Sequence, residues 1–324
     1  MTKRFDFTTK ENDFLFRLIG RVSVELQSPA YVVGGFVRNF FLNIISKDID
    51  IVCVGNGIVL AEKVASLLHP VPKVVTYSRY GTAMFRHNDI EFEFVGARKE
   101  SYSADSRNPA VEEGTLEDDQ KRRDFTINAL AFSLNPSEFG LFLDSFNGLE
   151  DLKNGIIKTP LDPGITFSDD PLRMMRAIRF ASQLGFVLDG NTKQALKQFN
   201  NRISIISQER ISTELNKIIL SSKPSVGFML LFDTGLLHLI FPEMVLLHGV
   251  ETKNGKGHKD NFYHTLQVLD NLSQVTNNLW LRWAAILHDI AKPQTKRWQP
   301  EIGWSFHGHE VLGATMVFSI FKRL

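Results

Sequence analysis

Tyr31-Val32-Val33-Gly34-Gly35-Phe36-Val37-Arg38-Asn39, with Asp48-Ile49-Asp50-Ile51-Val52-Cys53 close behind it, is the stretch whose reading decides the fold. Tyr31–Val33 reads as a short strand. The two glycines let the backbone approach a ligand, and the helix after them points free N–H groups and Arg38 at it, so Gly34, Gly35 and Arg38 are expected to meet phosphate. In the second half Ile49, Ile51 and Cys53 alternate with Asp48, Asp50 and Val52, and period two puts both carboxylates on one face of a strand. Two acids so placed can share divalent metal ions. A glycine pair alone marks only a turn, and Asp-x-Asp alone a solvated strand end. Their order, strand then glycines then helix then acidic strand, is what gives them meaning together.

Outward from this stretch, apolar residues at helical spacing over Glu11–Leu26 predict a helix beside the sheet. Further strands are read at Val74–Tyr77, Gly81–Phe85 and Ile90–Val95, with a helix on Ile58–Leu68, which makes a mixed α/β head. On Ile90–Val95 the alternation turns Phe92 and Phe94 one way and Glu91, Glu93 and Val95 the other, so Glu93 is the candidate for a third acid. Hard oxygen ligands with substrate phosphates suit magnesium, and paired cations are the basis of two-metal phosphoryl chemistry. Residues Lys99–Asp119 are polar and predict a mobile loop. Arg122 and Arg123 then stand at the expected start of an apolar helix, with Asn128 at helical spacing from Asp124, as a ligand-facing cluster.

After Asp170 the pattern becomes helical, over Pro171–Leu184, Thr192–Gln198 and Glu209–Ile219. In the first of these, Asp170, Arg173, Arg176 and Arg179 form an i, i+3 stripe opposite Met174, Met175, Ile178 and Ala181. Like charges stacked this way repel unless an anion sits among them. Arginine offers only donors and a carboxylate only acceptors, so Asp170 with Arg173 can stand in for a complementary base. Cytosine and adenine each set a ring acceptor beside an amino donor and suit this pair, whereas uracil and guanine present the reverse. The expected preference is for CTP and ATP, without a nucleic-acid template.

At 324 residues and 43% hydrophobic content the chain can bury more than one core. Its formal charge of +1 excludes overall attraction to polyanions, so a nucleic-acid surface has to be a local basic patch. The one cysteine, Cys53, excludes a disulfide framework and fits a reducing compartment. No signal peptide or apolar run of spanning length is read, so a soluble cytoplasmic protein with no membrane partner is expected.

Taken together, the motifs resemble the class II tRNA nucleotidyltransferase (CCA-adding enzyme) and poly(A) polymerase family of the DNA polymerase beta-type superfamily. The resemblance rests on Gly34–Arg38, Asp48-Ile49-Asp50, Arg122–Ala129, Asp144 with Gly148 and Asp151-Leu152, Asp170–Phe180 and Glu209–Lys217. It implies an α+β fold: a polymerase beta-type head with a mixed sheet over residues 1–158, an all-helical neck and body over 159–250, and a partial helical HD domain over 251–324. It implies that Asp48 and Asp50 hold catalytic metals with Glu93 as third carboxylate, that Gly34, Gly35 and Arg38 meet the triphosphate, and that Asp170 and Arg173 read the base. Arg98, Arg122, Arg123, Asn128, Arg176 and Arg179 fall where that family meets the nucleotide. The implied reaction is attack by an RNA 3′-hydroxyl, on tRNA or another RNA, at the α-phosphate of CTP or ATP, with two Mg2+ ions. One departure is Asn39, where the family usually has Asp; it removes a carboxylate without removing the phosphate or metal groups.

His264, then His288-Asp289 in Ile-Leu-His-Asp-Ile-Ala-Lys-Pro, then His307 and His309, are spaced as in a metal-dependent HD phosphohydrolase and are expected to hold a second divalent metal. The last aspartate of such a site has no candidate before Leu324, so the HD region is read as partial. The competing functions are poly(A) synthesis on generic RNA, which within the family shares these motifs with CCA addition, a phosphohydrolase whose nucleotide-binding head is regulatory, and an RNA-binding module on a dead transferase fold, against which Asp48 and Asp50 stand.

Overall fold

The computed structural model describes residues 3–78, 81–103 and 106–324, and the chain divides into two compact units, Met1–Asp162 and Pro163–Leu324. In the first unit the elements run α1 (Asp13–Glu25), β1 (Ala30–Val33), α2 (Gly35–Phe41), β2 (Asp48–Cys53), α3 (Gly57–Ser66), β3 (Val75–Tyr77), β4 (Thr82–His87), β5 (Ile90–Gly96), β6 (Arg98–Ser103), β7 (Ser106–Glu113), α4 (Leu116–Lys121), β8 (Ala131–Ser133), β9 (Phe142–Leu143) and α5 (Gly148–Asn154). Seven of the strands form one mixed sheet in the order β3-β4-β5-β2-β1-β8-β9. β2 lies antiparallel to β1 and parallel to β5, and the other neighbours are antiparallel.

Alternation explains the sheet. Ile49, Ile51, Phe92 and Phe94 are buried on one face, and the intervening acids lie on the other. An aromatic cluster fills part of the core: Phe7 stacks on Phe132 at a centroid distance of 4.5 Å, and Phe5 meets Phe41 edge-on at 5.2 Å. The fully buried rings Phe7 and Phe132 contribute about 1.5–3 kcal/mol each, and Phe7 also packs on Phe16 of α1 and Phe36 of α2, so this cluster fixes α1, α2 and β8 around the sheet. At α3 the Asn56 side chain accepts from the Ile58 and Val59 N–H groups at 3.0 and 3.2 Å, capping the helix that follows β2.

Two expectations for this unit are corrected. The polar run from Lys99 is a paired hairpin, β6 with β7, followed by α4; Ala104 and Asp105 lie outside the described residues. Backbone pairing needs no apolar pattern, which is why polarity alone suggested a loop. The segment after Arg123 is no apolar helix either. It is a single 3-10 turn, Thr126–Asn128, and then strand β8, because Phe132 completes the aromatic cluster. Short buried apolar runs read alike as helix or strand.

The second unit is mainly helical: α6 (Pro163–Asp169), α7 (Leu172–Leu184), α8 (Gly190–Phe199), α9 (Gln208–Ile219), α10 (Pro224–Asp233), α11 (Leu236–Ile240), α12 (Pro242–Val245), α13 (Asn261–Ser273), α14 (Leu279–Leu287), α15 (Lys292–Thr295) and α16 (His309–Arg323), with a small hairpin of Arg297–Gln299 and Gly303–Ser305. Met174, Met175, Ile178 and Ala181 of α7 are buried, as its periodicity predicts. No helix among the described residues is long and apolar enough to cross a membrane.

Candidate functional site

In the first unit the site begins at the middle of the sheet. Asp50 of β2 stands opposite Glu93 of the parallel strand β5, and Asp48 opposite Glu91. Neighbouring strands lie about 4.8 Å apart, so the carboxylates of positions 48, 50 and 93 share one face of the sheet. Asp48 is exposed and Asp50 half-buried, while Ile49 between them is buried. Although Glu93 as a residue is exposed, its carboxyl stands among protein atoms. That desolvation, then Asp50 and then Glu91, raise its pKa, against Arg98, which lowers it. Three crowded hard-oxygen donors fit a divalent cation, which would relieve their mutual repulsion.

Gly34 closes this face from the β1 side. It caps α2 with φ 71°, the left-handed region, and a Cβ built there would lie 2.9 Å from Arg123 Nη1 and 3.2 Å from Asp50 Oδ2. Glycine is needed for both reasons. Gly35 is less constrained, since a Cβ there would meet Arg38 Nη2 at an ordinary 3.8 Å.

From Gly34 the polar groups continue as a hydrogen-bonded chain. Arg38 donates through Nη1 to Asn128 Oδ1 at 2.7 Å, and Asn128 donates through Nδ2 to Asp124 Oδ1 at 2.9 Å. The spacing of Asp124 and Asn128 thus yields the contact read from sequence, although on a 3-10 turn rather than an α-helix. Asn39 Oδ1 accepts from Arg38 Nε and Nη2 at 3.0 and 2.8 Å. Arg122 and Arg123 follow the C-terminal end of α4 and turn back to its buried Asp119, Arg123 pairing at 2.8 Å. Burial alone would raise Asp119, but Arg123 and Arg122 outweigh it and hold the carboxyl below its ordinary range. Arg123 is desolvated, and Asp119 and then Asp50 keep it charged. Asp119 went unread as a site residue, although its i, i+3 and i, i+4 spacing to the two arginines was the signal. Asp144 and Asp151 act structurally: the first accepts from Gly148 N at 2.8 Å, the second from Thr126 Oγ1 at 2.6 Å.

In the second unit Asp170 precedes α7 and accepts from the Leu172 N–H at 3.1 Å. Arg173, Arg176 and Arg179 are half-exposed positions among buried neighbours, so the stripe is real. It is divided, however. Arg179 pairs with the buried Glu214 of α9 at 2.6 Å and lies over Phe180, so the anion needed among the arginines is partly supplied from within the chain. Arg210, which the stripe did not point to, reaches Asp170 at 3.5 Å.

The same unit gathers His264, His288 and Asp289, whose ligand atoms lie within 4.8 Å of one another. His309 Nε2 is 3.7 Å from Asp289 Oδ1, while His307 is exposed and joins no such group among the described residues. Asp289 is buried, which would raise it, but His288 and Lys292 bring its pKa down to about 2. The Lys292 ammonium sits 2.7 Å from Asp289 Oδ2, on an oxygen that a metal would use. Two imidazoles and a carboxylate are a donor set that fits a divalent transition metal.

A sheet that sets a pair of acids beside a glycine-started helix, followed by a helical unit, is the head and body of a nucleotidyltransferase fold. Residues 30–158 match the family model for the Poly A polymerase head domain, 185–247 that for the probable RNA and SrmB-binding site of polymerase A, and 261–324 that for the HD domain. Residues 30–158 thus carry the match to the polymerase head domain. The chain is 32% identical over 284 residues to an A-adding tRNA nucleotidyltransferase of Geobacter sulfurreducens, covering 87% of this chain and 30% of that protein. It is 36% identical over 272 residues to a CCA-adding enzyme of Anoxybacillus flavithermus, covering 83% of this chain and 62% of that one. Among solved structures, a CCA-adding enzyme in apo form II superposes with a TM-score of 0.68 at 31% identity, over 87% of this chain and 65% of that one. A complex of a CCA-adding enzyme with ATP gives 0.65 at 29% identity, over 89% and 71%. The chain thus spans less than a third of the first relative and under two thirds of the second.

Proposed function

We propose that the chain carries out template-independent RNA nucleotidyl transfer, adding C and A to tRNA 3′ ends from CTP and ATP. The observation that carries this reading is the shared face of Asp48, Asp50 and Glu93 beside Gly34, Arg38 and Arg123. In the reaction the RNA 3′-oxygen bonds to the α-phosphorus, the bond to the β-phosphate oxygen breaks, and pyrophosphate leaves in line. Asp48, Asp50 and Glu93 would hold a pair of divalent cations, for which Mg2+ is the fitting choice. The chemistry such cations supply when bound is neutralisation of phosphate charge and activation of the attacking hydroxyl. The remaining work is positioning by the protein. Gly34 and Gly35 bring the backbone near the triphosphate; Arg38, Arg98, Arg122 and Arg123 face its charge, with Asn128 orienting Arg38. Asp170 and Arg173 read the base, Arg176 adds charge beside them, and Arg179 steadies α9 through Glu214.

In this reading residues 1–158 are the catalytic head, 159–250 the base-reading and RNA-binding neck and body, and 251–324 the HD region. The likeness to an A-adding relative supports a second form of the same activity, addition of A alone. The His264, His288 and Asp289 group supports a metal-dependent phosphohydrolase activity in addition. Labelled-nucleotide extension separates these. C then A on tRNA lacking its 3′ end supports the first, A alone on tRNA ending in CC the second, A-tailing of generic RNA a poly(A) polymerase, and phosphate release without extension the hydrolase. An Asp48→Ala, Asp50→Ala variant that extends RNA normally would refute the site.

A further inference from the structure

We propose that Asn39 is a positioning residue that sets two parts of the transfer site at once, the Arg38 guanidinium and the loop that delivers Asp48; this rests on the transferase reading above. Its side chain works in two directions. Oδ1 accepts from Arg38 Nε and Nη2 at 3.0 and 2.8 Å, and Nδ2 donates to Ser46 Oγ at 2.7 Å. The orientation of the amide follows from chemistry, because a guanidinium has only donors and must face the oxygen. Ser46 is then left with the NH2 group, and its hydroxyl accepts.

The loop needs such a tether. Asn43, Ile44, Ile45 and Lys47 are all exposed, with Ile45 91% so, and Asn43 takes φ 55°. Ser46 is the half-buried member of the run, two residues before Asp48. The Asn39 backbone carbonyl also accepts from the Ile44 N–H at 2.9 Å, so one residue of α2 holds the loop at two points. Beyond the loop, Lys47 O accepts from Glu91 N at 2.8 Å and the strand pairing of β2 begins. Through Asn39 the hydrogen bonds run without a break from Asp124 through Asn128 and Arg38 to Ser46. A phosphate-facing arginine and a metal-facing carboxylate are thus set by one amide. Displacing a supporting contact of this kind typically costs about 10–100-fold in metal affinity or activity.

The test uses the whole chain and three variants, Asn39→Ala, Asn39→Asp and Ser46→Ala, read by steady-state nucleotide incorporation and by amide hydrogen exchange. Asn39→Ala is expected to lower kcat by about tenfold and to raise the KM for nucleotide, whereas Ser46→Ala lowers kcat while KM stays within about twofold. Asn39→Asp restores most of kcat, since a carboxylate still accepts from Arg38 and the Ser46 hydroxyl turns to donate. Amides of residues 43–47 exchange faster in Asn39→Ala and Ser46→Ala. Unchanged exchange in both variants overturns the tether, and so does an Asn39→Asp protein as impaired as Asn39→Ala. Should the unmodified chain incorporate no nucleotide, the transferase reading fails, and the exchange measurement still decides the tether.

Discussion

Asp50 and Glu93 face each other across the only parallel pairing of the seven-stranded sheet described, one residue from each strand at the same level. Two carboxylates held at that spacing repel, which is part of why Glu93 is shifted upward. Exchanging Asp50 for Asn is expected to reduce nucleotide incorporation by more than about 100-fold, beyond the range typical of outer-shell changes. RNA affinity, measured by filter binding, should stay within about threefold, because in the proposed transferase reading RNA is held through its phosphates by lysines and arginines of the helical unit.

Gly34→Ala tests the close approach on the other side of the face. A Cβ at φ 71° with Arg123 Nη1 at 2.9 Å and Asp50 Oδ2 at 3.2 Å forces both charged groups to move. The expected cost is at least about 1 kcal/mol of stability, together with a higher KM for nucleotide. A melting temperature and KM equal to those of the unmodified chain would count against this geometry.

The Asp119 clamp predicts a specific acid limb. Its folded pKa is depressed, so its contribution to stability is complete above the ordinary carboxylate pKa of about 4 and is lost as pH falls through the lower folded value. Asp119→Asn leaves two arginines without their buried anion and should destabilise the first unit by about 3–5 kcal/mol near neutrality. Melting temperatures taken from pH 7 to pH 2 should fall more steeply for the unmodified chain than for the variant.

In the second unit Arg282 is a buried cation that serves as a donor hub. It donates to the carbonyls of Ile219 and Ser221 at 2.7 and 2.8 Å, of Thr276 at 2.9 Å and of Ser273 at 3.0 Å, joining the ends of α9 and α13. Burial lowers its pKa, yet an arginine remains charged. Arg282→Met should cost at least about 3 kcal/mol, since each carbonyl left without a donor costs about 1–3 kcal/mol. Calorimetry should place the loss in the transition of the second unit.

The histidine group predicts metal-linked stability. Mn2+ or Ni2+ added to the chain should raise the melting temperature of the second unit, EDTA should reverse it, and Asp289→Asn should abolish it. His288 is raised above the ordinary histidine range, chiefly by its hydrogen bond to Asp289, so proton and metal compete for it. Metal affinity measured by calorimetry is therefore expected to rise as pH climbs through that raised value.

Period-two alternation was enough to put Asp48 and Asp50 on one face of β2 and Glu93 on the face of β5 away from Phe92 and Phe94, because a strand leaves its side chains no other choice, while the parallel register of β2 and β5 is what brings the three acids together. The i, i+3 spacing likewise found the buried and half-exposed sides of α7. What could not be read locally was pairing at a distance. The hairpin of β6 and β7 carries no apolar pattern, and β8 is a strand because Phe132 meets Phe7 from the far end of the unit.

The sequence by itself determined which residues carry charge and which face of each element they occupy, since that depends only on backbone period. The tertiary structure decided their partners. Arg122 and Arg123 turn to Asp119, Arg179 turns to Glu214, and Asn39 joins Arg38 to Ser46. The physical reason is that an ion pair or an amide hydrogen bond depends on which groups the folded backbone brings within about 3 Å, whether they lie a turn apart, as Asp119 and Arg123 do, or on separate helices, as Arg179 and Glu214 do.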